Sequence, residues 1–391
     1  MLCETHQYDC GVVCLYTSDL GSELIGDHLS ALTGDGGFSF ALAYFSKSRC
    51  SAEDVIDLMR QAHNVPFAAC STAGEITPRG LDDGQLVVLL FPAEYFSVAA
   101  NSFVGSHGGI ENIVSDVHAM KTSFVENNGG EGTIFALCLM DGASFMEEAI
   151  TAAFHWGLDD IPLLGGSAGD NMNFEETCLV LNGRLVEERA ILLLISSSLP
   201  VEVFKTENFV PSDEKLVVTR SDPDRRIVHE LNAAPAALAY AEVIGTDPYA
   251  LTPQSFASHP LVMRVGGEYY CRSIQKVNDD YSLSFFCAVD DGIVLTVAEQ
   301  TGMARTTRKA LSAVGDKLGE VDFVLGFDCV LRQIDARNRQ VTHKISEIYR
   351  DYRVVGFNTY GEQYRSMHLN QTLTGVAFGK PVAKQDPFHE S

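Results

Sequence analysis

Three stretches of the chain set a hydroxyl, a glycine and a carboxylate in the same order: Thr72-Ala73-Gly74-Glu75, Ser167-Ala168-Gly169-Asp170 and Thr359-Tyr360-Gly361-Glu362. Each follows an apolar, strand-like run, so the three groups fall just beyond a strand end, where α/β proteins bind ligands. There Glu75, Asp170 and Glu362 could face an ammonium group, while the hydroxyls and the amides of Gly165 and Gly166 could receive a carboxylate. The candidate ligand cleft is therefore Thr72, Glu75, Ser167, Asp170, Thr359, Tyr360 and Glu362. The same residue types also build tight turns, since glycine admits the turn and a hydroxyl with an acid caps the next element. A second candidate is the N-terminal group Cys3, Cys10 and Cys14, which could serve as a zinc or thiol redox switch. Its spacing contains no CxxC pair of the usual zinc signatures.

Catalytic signatures are sparse. No GxSxG nucleophile elbow is expected, and the chain has no GxxxxGK[ST] phosphate loop, no GxGxxG after a strand and no HExxH. Cys70 or Ser71 could pair with a distant histidine as a nucleophile, but nothing in the sequence orders such a pair. A binding role is expected rather than an enzymatic one. The balance of 28 basic against 52 acidic residues, a formal charge of −24, repels a phosphate backbone and argues against nucleic acid as a partner. No apolar run reaches membrane-spanning length, and the first residues lack a basic stretch followed by an apolar one, so neither insertion nor export is expected. Ten cysteines scattered among apolar runs fit buried thiols in a reducing cytoplasm.

The surroundings of each phrase repeat as well. Residues 38–45 read as a strand, 51–63 as a helix and 65–69 as a second strand; 133–140, 144–156 and 161–164 follow the same order, as do 321–327, 343–352 and 354–357. Ser51 with Asp54, and Ser144 with Glu147, have the pattern of capping boxes. About 34 residues separate the first strand of a unit from its hydroxyl residue, the length of a crossover between parallel strands. Beyond the phrases the period shortens. Residues 85–91 and 96–103 read as a hairpin, and Asn182-Gly183 marks another. Between the second and third units lie helices at 233–243 and 252–258, hairpins turning at Gly266-Gly267 and Asp290-Asp291-Gly292, and a helix at 302–318. The polar stretch 211–226 reads as a linker, placing a boundary near Val218.

On these residues the chain resembles the FIST proteins, signal-input modules with an N-terminal and a C-terminal FIST domain. Cys70-Ser71-Thr72-Ala73-Gly74-Glu75-Ile76 and Pro162-Leu163-Leu164-Gly165-Gly166-Ser167-Ala168-Gly169-Asp170 carry the first domain. Phe256-Ala257-Ser258-His259-Pro260-Leu261, Gly356-Phe357-Asn358-Thr359-Tyr360-Gly361-Glu362 and Asn370-Gln371-Thr372 carry the second. The domains are expected at 24–218 and 219–380. Phe327-Asp328-Cys329-Val330-Leu331-Arg332 and Tyr364-Arg365-Ser366-Met367-His368-Leu369-Asn370-Gln371 are similar to the stand-alone bacterial subgroup that holds haem, senses nitric oxide and modulates a histidine kinase. That resemblance implies haem b held by a histidine. Among the eleven histidines, His229, His259 and His368 lie in the C-terminal half beside apolar residues and are the candidate ligands. CxxCH is absent, so such a haem would be noncovalent.

Together these observations lead to a mixed α/β protein built from strand–helix–strand units followed by antiparallel hairpins, in two related halves with mixed sheets. Its expected role is cytoplasmic signal input through haem, nitric oxide and a histidine kinase, with a homodimer as a further expectation. The rivals are a haem-free module for an amino-acid-like metabolite and a cysteine redox or zinc switch.

Overall fold

In the computed structural model, which describes residues 3–19, 23–103, 109–128, 132–173, 175–186 and 189–381, strand alternation decides the layering. Phe40, Leu42 and Tyr44 of strand Phe38–Phe45 enter one core, while Ala41, Ala43 and Phe45 enter another. Strand Thr133–Met140 divides likewise, with Phe135, Leu137 and Leu139 inward, and strand Val321–Cys329 of the third unit sends Phe323, Leu325 and Phe327 inward. The inner faces of three sheets thus enclose a central core, and helices cover the outer faces. Helix Ala52–Met59 covers the first sheet, Glu147–Leu158 the second, and Met303–Leu318 with Thr342–Asp351 the third.

Each sheet is centred on a parallel pair, as the crossover length requires. Phe38–Phe45 pairs with Phe67–Ser71, Thr133–Met140 with Leu163–Ser167, and Val321–Cys329 with Val354–Thr359. The hairpin after each pair leaves its own sheet. The hairpin of residues 75–82 adds to the third sheet through Glu75 and Ile76, and 179–185 adds to the first through Leu179 and Leu181. The hairpin of residues 362–369 adds to the second through Glu362 and Tyr364. Edge strands are exchanged too: Phe96–Phe103 lies against Ala190–Ser197 of the second sheet, and Val201–Glu207 against Thr372–Gly379 of the third. Val13–Thr17 fills the corresponding place in the first sheet, against Leu86–Pro92.

Between the second and third units an eight-stranded antiparallel sheet spans residues 209–300, with its own core around Leu216, Val228, Tyr240, Phe256 and Phe285. The mixed α/β class and the repeated units agree with the sequence reading, and several local expectations are corrected. Residues 85–91 and 96–103 form strands in different sheets, not a hairpin. The polar stretch read as a linker is strand Phe209–Asp222, which pairs on both sides and contains Val218. Ser51 and Asp54 do form a capping box, whereas Ser144 donates to the Asp141 carbonyl and the helix begins after Met146. Gly266-Gly267 turns a hairpin, but Asp290-Asp291-Gly292 leads into Val294–Gln300, whose partners are Leu261–Val265 and Phe209–Asp222. Helix Val330–Asn338 has no counterpart in the sequence reading.

Candidate functional site

The three phrases meet. The Ala73 amide donates to the Asn358 carbonyl at 2.9 Å and the Asn358 amide to the Gly74 carbonyl at 2.7 Å. The Ser167 amide donates to Gly361 at 2.8 Å, the Tyr360 amide to Ser167 at 3.1 Å, and the Gly169 amide to Ser71 at 3.0 Å. First joins third, third joins second and second joins first, closing a ring of backbone bonds. Within it the Thr72 hydroxyl donates to Glu75, and Glu75 accepts from the Gln85 amide at 2.9 Å. Ten residues separate those acceptor and donor positions, and the third phrase repeats the spacing: Thr359 donates to Glu362, which accepts the Thr372 hydroxyl at 2.7 Å. The second phrase departs, since Asp170 takes the Tyr360 hydroxyl and the amides of Glu175 and Glu176.

All seven residues of the expected cleft are buried in this junction. The open cleft expected there is replaced by a sealed joint, because each hydroxyl and acid is already used by a neighbour. Burial raises the carboxyl groups of Glu75 and Glu362 to about 8, against the opposing pull of the threonine hydroxyls. They carry protons at neutral pH and cannot serve there as anions for an ammonium group. Gly165-Gly166-Ser167-Ala168-Gly169 does have the G-x-S-x-G spacing, although no such elbow was expected. It does not make a nucleophile elbow: Ser167 is fully buried, and its oxygen accepts from the Gln363 amide at 2.9 Å.

The structure separates the three histidines. His229 lies on strand Ile227–Leu231 with Nδ1 3.8 Å from Asp280. His259 ends helix Pro253–Ser258; its carbonyl accepts the Tyr240 hydroxyl at 2.8 Å, and its buried Nδ1 has no partner among the described residues. His368 is 3% exposed, sits over Gly361 and places Nδ1 3.1 Å from the Gln363 amide nitrogen. Burial lowers it to about 4 despite the nearby Glu148 carboxylate. The cysteines are separated as well. Cys10 and Cys14 enter the central core while Cys3 packs against the outer one, and burial pushes the thiols of Cys10 and Cys14 up. Among the described residues no cluster of histidine, cysteine and acid could hold a metal ion.

A cavity of about 270 Å³ opens elsewhere, between the large sheet and the third unit. Phe256 and Ala257 of helix Pro253–Ser258 form one wall with Ile274, and Leu331 and Ile334 of helix Val330–Asn338 form the other. Gln275, Lys276 and Gln371 are the polar side chains of its lining. Gln371 holds a left-handed backbone with φ of 57°. Its oxygen accepts from Gln300 at 2.8 Å; Gln300 in turn accepts from Asn208, whose oxygen takes Arg332 Nη1 at 3.0 Å. Arg332 Nε reaches Asp328 at 2.6 Å, and Asn358 contacts the same carboxylate at 3.4 Å. A polar chain, buried except at the half-buried Gln300, therefore runs from the cavity lining to the ring of phrases. Among the described residues no histidine, cysteine, methionine or tyrosine lines the cavity, so its donors do not fit haem. His259 is two positions from the wall but outside the lining, and His368 is enclosed.

The chain matches the FIST N domain over residues 39–234 and the FIST C domain over 236–365, and it belongs to the FIST family of small-ligand sensory domains in signalling. A protein of Methanocaldococcus jannaschii described as uncharacterized is 20% identical over 259 residues, covering 56% of this chain and 49% of that protein. The chain thus spans about half the length of that curated relative. Among solved structures, a crystal structure of chorismatase aligns over 95% of this chain and 99% of that one, at 9% identity and a TM-score of 0.35. That likeness is too low to bear on fold or activity. Among the described residues no helix is long and apolar enough to cross a membrane.

Proposed function

We propose that the protein is a haem-free sensory module whose small, largely apolar ligand enters the cavity between helices Pro253–Ser258 and Val330–Asn338. The supporting observation is convergence: Phe256-Ala257 and Gln371 come from two separate phrases that carry the family resemblance, Leu331 comes from a phrase similar to the haem-holding subgroup, and all line this one cavity. An apolar wall with a few polar side chains, Gln275, Lys276 and Gln371, is the composition of a selective small-molecule site. Occupancy would tighten the large sheet against the third unit, and the Gln371–Gln300–Asn208–Arg332 chain would carry that change towards the phrase ring. A partner protein would read the altered surface; the sequence resemblance implies a histidine kinase in the cytoplasm.

The test is thermal stabilisation by a panel of small aromatic and aliphatic compounds, repeated with Ile334→Trp to fill the cavity. A compound that stabilises the natural protein should bind at least about tenfold more weakly to the variant. Stabilisation unaffected by Ile334→Trp would place the ligand elsewhere. The haem and nitric oxide reading is tested by an absorption spectrum of protein produced with ample haem. A Soret band lost in His259→Ala or His368→Ala would overturn the haem-free reading.

A further inference from the structure

Three arginines are buried among the described residues, and two of them have acids. Arg226 reaches Glu147 at 2.5 Å and Glu148 at 2.8 Å, and Arg332 reaches Asp328 at 2.6 Å. Arg272, at the end of strand Glu268–Arg272, is 6% exposed and has no carboxylate partner among the described residues. Its Nη1 donates to the carbonyls of His368 at 3.2 Å and Cys271 at 3.5 Å, while Nε has no partner. The side chains beside it are uncharged: His368 is held neutral by burial, and Cys287 is a buried thiol. Glu147 and Glu148 are engaged by Arg226, and Glu148 also accepts the Ala288 amide at 2.9 Å. A buried guanidinium without a direct carboxylate partner is unfavourable, and its planar fork is suited to a carboxylate.

We propose that Arg272 anchors an anion subsite for the carboxylate of a small organic acid. The next residue, Ser273, accepts from Gln371 at 3.4 Å, and Ile274 lines the apolar cavity. Arg272 does not itself line the cavity, so the subsite would lie behind the Ile274 wall, and the ligand class is an organic acid with an apolar body. This class rests on the cavity reading, whereas the anion contact itself requires only Arg272.

The experiment compares benzoate, benzyl alcohol, acetate and inorganic phosphate by calorimetry on the full chain. Benzoate should bind at least about tenfold more tightly than benzyl alcohol, a preference lost in Arg272→Met and reduced at least about threefold in Arg272→Lys. Arg272→Met should melt no lower than the natural protein, because it removes an uncompensated buried charge. Equal binding of benzoate and benzyl alcohol, or an unchanged preference in either variant, overturns the proposal. Phosphate binding that depends on Arg272 without benzoate binding overturns the carboxylate class. Ile334→Trp separates the two readings: loss of benzoate and benzyl alcohol with retention of Arg272-dependent acetate binding supports both. Loss of neither aromatic compound, with acetate still dependent on Arg272, removes the cavity reading and leaves the anion contact. Should Arg272→Met fail to fold, the contrast in the natural protein and in Arg272→Lys decides.

Discussion

Glu75 and Glu362 hold protons in the folded state because water is excluded while only hydroxyl and amide partners remain. Their folded values of about 8 exceed the ordinary 4.5, so their stabilisation is full below about pH 4.5 and is lost as the pH rises through 8. The double variant Glu75→Gln, Glu362→Gln should flatten this slope, worth about 1.4 kcal/mol per pH unit for each group, in urea denaturation compared across that range. His368 has the opposite sign. Its folded value of about 4 lies below the ordinary 6.5, so its contribution is present above 6.5 and is lost as the pH falls through 4. His368→Gln should therefore weaken the acid sensitivity of the melting temperature without altering the slope due to the glutamates. At the buried ion pair, Arg332→Met leaves Asp328 without its guanidinium and should cost about 3–5 kcal/mol. Thermal or urea denaturation measures that loss.

Parallel strands of the third unit approach closely at Gly326 and Gly356. A Cβ on Gly356 would lie 1.9 Å from the Gly326 carbonyl oxygen, and φ is 148°, so Gly356→Ala should cost roughly 3 kcal/mol in equilibrium denaturation. The parallel pairs were legible because Phe38–Phe45 and Thr133–Met140 are apolar strands followed by capped or amphipathic helices and a second apolar strand. Helix Val330–Asn338 was not, since Arg332, Gln333 and Asp335 are buried and erase the usual polar and apolar faces. Strand Phe209–Asp222 was equally hidden: few of its side chains are buried, and its ladder depends on distant partners. The phrases themselves were legible as a repeat. Their use was not, because the carboxylates that could meet a ligand in sequence meet threonines and backbone amides in space.

No sheet of the ring is made by one unit alone. The first depends on Val13–Thr17 and the hairpin at 179–185, the second on Phe96–Phe103 and the hairpin at 362–369, and the third on Val201–Glu207 and the hairpin at 75–82. A fragment of residues 39–234 should consequently lack a cooperative melt, whereas adding the remaining chain as a second fragment should restore it, as read by circular dichroism and size-exclusion chromatography. The hairpins pass in one sense around the ring and the edge strands in the other, and each passage has a symmetry consequence. Each is a head-to-tail contact that closes after three steps, the geometry of a cyclic trimer written into one polypeptide. A single unit carrying both arms would be self-complementary, and linking three such units frees each to diverge, as the second phrase has done with Asp170.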